Sequence, residues 1–173
     1  MTEPIAIRRL VATDLAGYKV LRDTMLAEHP SAFSSDAREG LSRSPESYRA
    51  RLGLERPEGG EFTLGGWSGG RLVGAISCER DLRVKVRHIG HLIGMMVRDE
   101  VQRRGVGRSL LDACLAEARK AIGLEMLTLT VTAGNEAALH LYERAGFVHY
   151  GRLPRAICVN GTYHAKDQMV LTL

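Results

Sequence analysis

Aromatic residues are scarce, only 5% of a 173-residue chain, which argues against a nucleic-acid platform of stacked rings set between basic side chains. Cysteine is scarce as well. Cys78, Cys114 and Cys158 are odd in number and widely spaced, so neither a disulfide framework nor zinc-binding pairs fits, and each reads as a small apolar filler. No apolar run approaches the roughly 18 to 20 residues that cross a bilayer. The opening Met1-Thr2-Glu3-Pro4 lacks the basic and then apolar stretch of a secretion signal, so a cytoplasmic location with no membrane partner is expected. Repeats, low-complexity tracts and linkers are absent too, and residues 1–173 read as one α/β domain.

What is present is an ordinary globular balance, 45% hydrophobic and 25% charged, with a mild net charge of +4. Such an excess suits an anionic small molecule, and with so few rings no nucleic-acid partner is expected. Arg83, Lys85 and Arg87 alternate with Val84 and Val86, which reads as the solvated face of a strand. His88 and His91 would lie three apart in that strand, pointing to opposite faces, so no metal pair is expected there.

Periodicity lays out the rest. A short strand over 4–10 precedes a helix to about Glu28, capped by Thr13 or Asp14, with Leu15, Tyr18, Leu21, Met25 and Leu26 as its apolar stripe. Residues 29–43 read as a long loop, and Ser44-Pro45-Glu46 opens a second helix to about Leu54. Strands follow at 62–67, 72–80 and 86–97. A helix from Val106 to about Ile122 carries Val106, Leu110, Leu111, Cys114, Leu115, Ala118 and Ile122 on one face. Residues 126–132 alternate as a strand, Asn135 caps a further helix that Gly146 ends, and Asn160-Gly161 joins two terminal strands as a hairpin.

The segment Gln102-Arg103-Arg104-Gly105-Val106-Gly107-Arg108 lies between a strand and a helix. A helix start presents unpaired amides and the positive end of its dipole. Gly105 and Gly107 remove side chains so that an anion can approach, and the three arginines add attraction, an arrangement suited to a pyrophosphate. Alone, the same residues describe a tight turn with solvated arginines equally well. A P-loop is a poorer match because the Gly-Lys-Ser/Thr ending is missing.

The two stretches MMVRDEVQRRGVGRSLL (95–111) and TVTAGNEAALHLYERAGF (130–147), in this order of elements, resemble the GNAT superfamily of N-acetyltransferases. That resemblance implies a mixed, mostly antiparallel sheet of about seven strands with flanking helices, and acetyl-CoA as cosubstrate. By the resemblance, the backbone of Met95, Met96 and Val97 would pair with the pantetheine arm and residues 102–108 would hold the pyrophosphate. Asn135 would contact the cofactor near the pantetheine, besides serving as a helix cap. Tyr142 would be the general acid for the departing thiolate, where without the motif it reads as a core aromatic.

A lysine-like amine is neutral only about once in a thousand at pH 7, so a base is valuable for alkylamine acceptors. The resemblance assigns that part to the position eleven before the loop, His91, expected on one strand face with Ile93 and Met95. A histidine bonded within the sheet is the plain alternative. Relatives that acetylate protein N-termini often carry Glu where this chain has Thr130, which lowers the expectation for that acceptor class. The expected activity is direct acetyl transfer to a primary amine, small molecule or protein, in a ternary complex. An acyl-CoA-binding sensor without turnover is the other reading. Phe33, Ser34, Ser35 and the hairpin around Tyr163 are expected to border the acceptor pocket, and that hairpin could also join two copies in a homodimer.

Overall fold

The computed structural model describes residues 4–173. Its sheet has seven strands in the order β1-β2-β3-β4-β5-β7-β6. These are β1 (Ala6–Arg9), β2 (Phe62–Ser68), β3 (Arg71–Arg80), β4 (Ile89–Val97), β5 (Met126–Thr132), β6 (Val148–Val159) and β7 (Thr162–Thr172). Every pairing is antiparallel except β4 with β5. The helices are α1 (Leu15–Glu28), α2 (Ala37–Ser42), α3 (Val106–Lys120) and α4 (Glu136–Arg144). No helix among the described residues is long and apolar enough to cross a membrane.

Two apolar clusters fill the two faces. Val106, Leu110, Leu111, Cys114, Leu115 and Ala118 of α3 pack with Phe62, Ile76, Cys78, Leu92 and Leu127 of the sheet, and Tyr142 and Phe147 join them. On the other face Leu15, Tyr18, Leu21 and Met25 of α1 meet Tyr48, Leu52, Leu72, Ala75 and Met96. Each valine, leucine, isoleucine, methionine or phenylalanine side chain buried this fully contributes about 1.5–3 kcal/mol. Burial also pushes the Cys78 thiol up to about 12 and raises that of Cys114, so both are the inert fillers expected; Cys158 is exposed on β6.

Four local expectations are corrected. The 29–43 loop contains α2, whose N-cap Asp36 accepts from the Arg38 and Glu39 amides. Residues Pro45–Leu52 form a 3₁₀ helix. The 83–87 alternation is not a strand: Asp81 accepts from the Arg83 amide, and the Arg83 carbonyl accepts from Val86 and Arg87. Such side-chain-to-backbone bonding competes with extended structure, and β4 begins only at Ile89. Ile122, expected on the buried face of α3, is 76% exposed, because the backbone turns extended at Ala121 and the 3.6-residue period ends there.

Candidate active site

Strands β4 and β5 pair only at Ile89, Gly90 and His91 with Met126, Leu127 and Thr128. Beyond these residues no register continues, whereas β5 stays paired with β7 along its whole length. From Ile93 to Met96 the β5-facing backbone of β4 therefore has no strand partner among the described residues. The pantetheine arm expected from the resemblance is an extended amide chain that could use those groups.

A bulge sits in the same stretch. Ser77 pairs with Ile93, but Ala75 pairs with Met96, so β4 carries one extra residue at Gly94 and Met95. Gly94 adopts φ +58°, a left-handed conformation that side chains disfavour. The extra residue reverses the alternation. Met95 packs with Val97 against the α3 cluster while Met96 joins the α1 cluster, and Met95 therefore does not share a face with His91 and Ile93.

The diverging strands open a cavity of about 390 Å³. Tyr142 of α4, Gly94 and Met95 of β4 and Thr130 of β5 are in its wall, and Asn135 and Ala138 lie at the start of α4. Phe33, Ser34 and Ser35 border it as expected; Tyr163 does not. Three bonds seat their loop: Thr132 donates to the Ser31 carbonyl at 2.6 Å, Arg22 to Ser35 at 2.7 Å, and His29 meets Asp99 at 2.9 Å.

Tyr142 is only 7% exposed and stands edge-on to Phe147 with ring centroids 5.9 Å apart. Its phenol makes no hydrogen bond among the described residues. Burial first, then the neighbouring Cys114, pushes the phenol well above its ordinary range, so it keeps its proton at neutral pH. Asn135 is both cap and wall: its Oδ1 accepts from the Ala138 amide at 3.3 Å.

The loop before α3 lies outside the cavity wall, on exposed surface. Gly105 is the N-cap, at φ +77°, and the first rung is Ser109 N–H to the Gly105 carbonyl at 2.9 Å. The amides of Val106, Gly107 and Arg108 are the free donors of the first turn. A Cβ on Gly107 would meet Met95 Cε at 3.4 Å and Leu141 Cδ2 at 3.6 Å, ordinary contacts, so packing does not require glycine there. Close approach by an anion would. Gln102 is exposed and donates to Asp99 Oδ1 at 2.6 Å, and Arg108 is held by Asp112 at 2.8 Å. Arg103 and Arg104 are exposed and make no salt bridge among the described residues.

His91 is not in the wall with Tyr142. It is exposed, its Nδ1 2.6 Å from the Thr128 hydroxyl. Its register partner Glu79 does line the cavity, with Arg51 Nε 3.4 Å away. Three residues that periodicity did not single out also line it: Arg22, Arg51 and Lys166. Arg22 had a signal, since it falls between Tyr18 and Met25 on the apolar stripe of α1, where a charge is out of place. Lys166 had none, and burial lowers the pKa of its amine.

A split parallel pair, a bulge at the split, a buried phenol and a glycine-rich helix start together define an acyl-CoA-dependent transferase fold. The sequence profile described as the acetyltransferase (GNAT) family matches residues 22–147, and the chain belongs to that family. It is 31% identical over 102 residues to N-alpha-acetyltransferase 30 of Schizosaccharomyces pombe, covering 59% of this chain and 67% of that one. A GNAT-family acetyltransferase from Streptococcus pneumoniae superposes with TM-score 0.88 at 27% identity, covering 98% of this chain and all of the other. The fold is also that of yncA from Salmonella typhimurium, solved with its cofactor acetyl-CoA, with TM-score 0.84 at 20% identity over 98% of this chain and 94% of that one.

Proposed function

We propose that the protein moves acetyl from acetyl-CoA to a primary amine by direct attack within the cavity between β4 and β5, with Tyr142 as the acid. The observation that carries this reading is the Tyr142 phenol, buried in the cavity wall, on the helix that begins where the strands have parted. Acetyl-CoA supplies an activated thioester. The β4 backbone of Met95, Met96 and Val97, past the end of the β4–β5 pairing, would hold its arm, Asn135 would border the arm's path, and Gln102, Arg103, Arg104, Gly105, Val106, Gly107 and Arg108 would make up the pyrophosphate loop. In the transfer the amine nitrogen bonds to the acetyl carbon as the C–S bond breaks, and the Tyr142 Oη proton passes to sulfur.

The amine must lose a proton. Glu79 is the carboxylate in the wall and His91 its neighbour one strand over, so the two mark a route from cavity to surface, with His91 as the outer group. Incubation of acetyl-CoA with a panel of primary amines should consume thioester and yield N-acetyl product. Acetyl-CoA binding with no consumption across the panel would contradict the proposal.

A further inference from the structure

Arg22 is an unusual occupant of a cavity wall. Its residue is 5% exposed, and its Nε is buried without a hydrogen-bond partner among the described residues. No carboxylate among them forms a salt bridge with it. Its contacts are Ser35, which accepts from Nη2 at 2.7 Å, and the Tyr48 ring, 5.5 Å from the guanidinium carbon. Arg51 flanks the same ring at 5.7 Å. Both arginines bring Nη1 to one spot: a Cβ built on Gly94 would lie 3.8 Å from Arg22 Nη1 and 3.9 Å from Arg51 Nη1. Among the described residues Glu79 is the sole carboxylate lining the cavity, against Arg22, Arg51 and Lys166, and it lies beside Arg51.

A buried guanidinium with a neutral hydroxyl and a ring face as its partners is under-compensated; stacking on tyrosine returns only about 0.5–2 kcal/mol. A carboxylate, by contrast, matches the planar fork of donors and forms the stronger, charge-assisted bonds. The spot is at the β4 bulge, on the α1 face and away from the α3 loop that suits the pyrophosphate, so the donor's phosphates do not account for it.

We propose that the acceptor is a small amine bearing a carboxylate, an amino acid in the broad sense, whose carboxylate Arg22 and Arg51 hold beside Gly94. This rests on the acetyltransferase reading above and adds the acceptor's chemistry to it. Ser34, Ser35 and Phe33, seated by Arg22 itself and by Thr132, would close over the acceptor's side chain.

The test compares free α- and ω-amino acids with their carboxamides at saturating acetyl-CoA. The carboxamide of an α-amino acid has the less basic amine, which on chemistry alone favours it. Acids are nevertheless expected to exceed their amides in kcat/KM by on the order of 10- to 100-fold, the range for loss of a charge-assisted contact. Arg22→Gln should lower kcat/KM for the acids by a similar factor, far more than for the carboxamides, and leave the KM for acetyl-CoA unchanged; Arg22→Lys should restore part of the loss. Carboxamides or polyamines accepted as well as the acids, or equal losses for acid and amide in Arg22→Gln, would overturn the proposal. If Arg22→Gln does not fold, the acid–amide comparison in the unaltered protein decides. If no amine is acetylated, the transferase reading fails. Calorimetry of N-acetyl amino acids against their amides, with CoA bound, then decides the carboxylate site separately: preference for the acid upholds it and parity overturns it.

Discussion

Replacing Tyr142 with Phe removes one oxygen and keeps the ring. The ring is almost wholly buried, edge-on to Phe147 at 5.9 Å, and the hydroxyl forms no bond within the described residues. Folding should therefore change by less than about 1 kcal/mol, the usual net worth of a hydrogen bond that is present. Catalysis should change far more. A positioned acid contributes about 10²–10⁴ in rate, or roughly 3–5 kcal/mol of barrier at 1.36 per decade. Donor binding would use β4 backbone and the amides before α3, and should hold. The assay is single-turnover release of CoA at saturating acetyl-CoA and amine, so that product release does not mask chemistry, with calorimetry of acetyl-CoA binding and a thermal melt alongside. Because burial raises the phenol's pKa, loss of its proton should limit the unaltered enzyme only above the ordinary phenol range near pH 10. A Tyr142→Phe rate within about threefold of the parent, or a slower rate matched by equal loss of acetyl-CoA affinity, would rule out Tyr142 as the acid.

Gly107→Ala separates ligand approach from packing. The added methyl would make ordinary contacts with Met95 and Leu141, and alanine is favoured over glycine within a helix by about 0.5–1 kcal/mol. The variant should melt slightly higher yet bind acetyl-CoA about tenfold more weakly by calorimetry; unchanged affinity would remove Gly107 from the phosphate site. At the β6–β7 pair, Arg152 first and then His149 hold Asp167 down to about 2. A depressed carboxylate contributes stability above its unfolded value near 4, and that contribution disappears as pH falls through about 2. The melting difference between parent and Asp167→Asn should therefore be full at pH 6 and shrink between pH 4 and 2, and a pH-independent difference would contradict it.

Much of the fold was legible because its signals are local. The stripe on α3 as far as Ala118, the Asn135 cap with its helix and the Asn160-Gly161 hairpin each depend on residues close in sequence, and each appears where the sequence signals put it. Errors arose where something other than periodicity decides, a side-chain bond to the backbone or the pairing with a neighbouring strand. The 83–87 alternation looks like a strand until Asp81 bonds to the Arg83 amide. The bulge at Gly94 moves Met95 to the other face, and nothing local distinguishes that glycine from one in a regular strand. At the candidate site, Tyr142 and Asn135 came from one contiguous stretch and line the cavity, while the glycine loop came from another and lies outside its wall. Glu79, Arg51 and Lys166 were not legible, because the cavity collects them from β3, the 3₁₀ segment and β7. Arg22 alone left a trace, as a charge on an apolar stripe.

Direct transfer in a ternary complex can be followed by rapid-quench analysis with acetyl-labelled CoA and an accepted amine. Label should pass to the amine nitrogen in a single phase with no acetylated protein at any time, and none should leave CoA until the amine is added. Label accumulating on the protein before it reaches the amine, or thioester consumed without N-acetyl product, would contradict it.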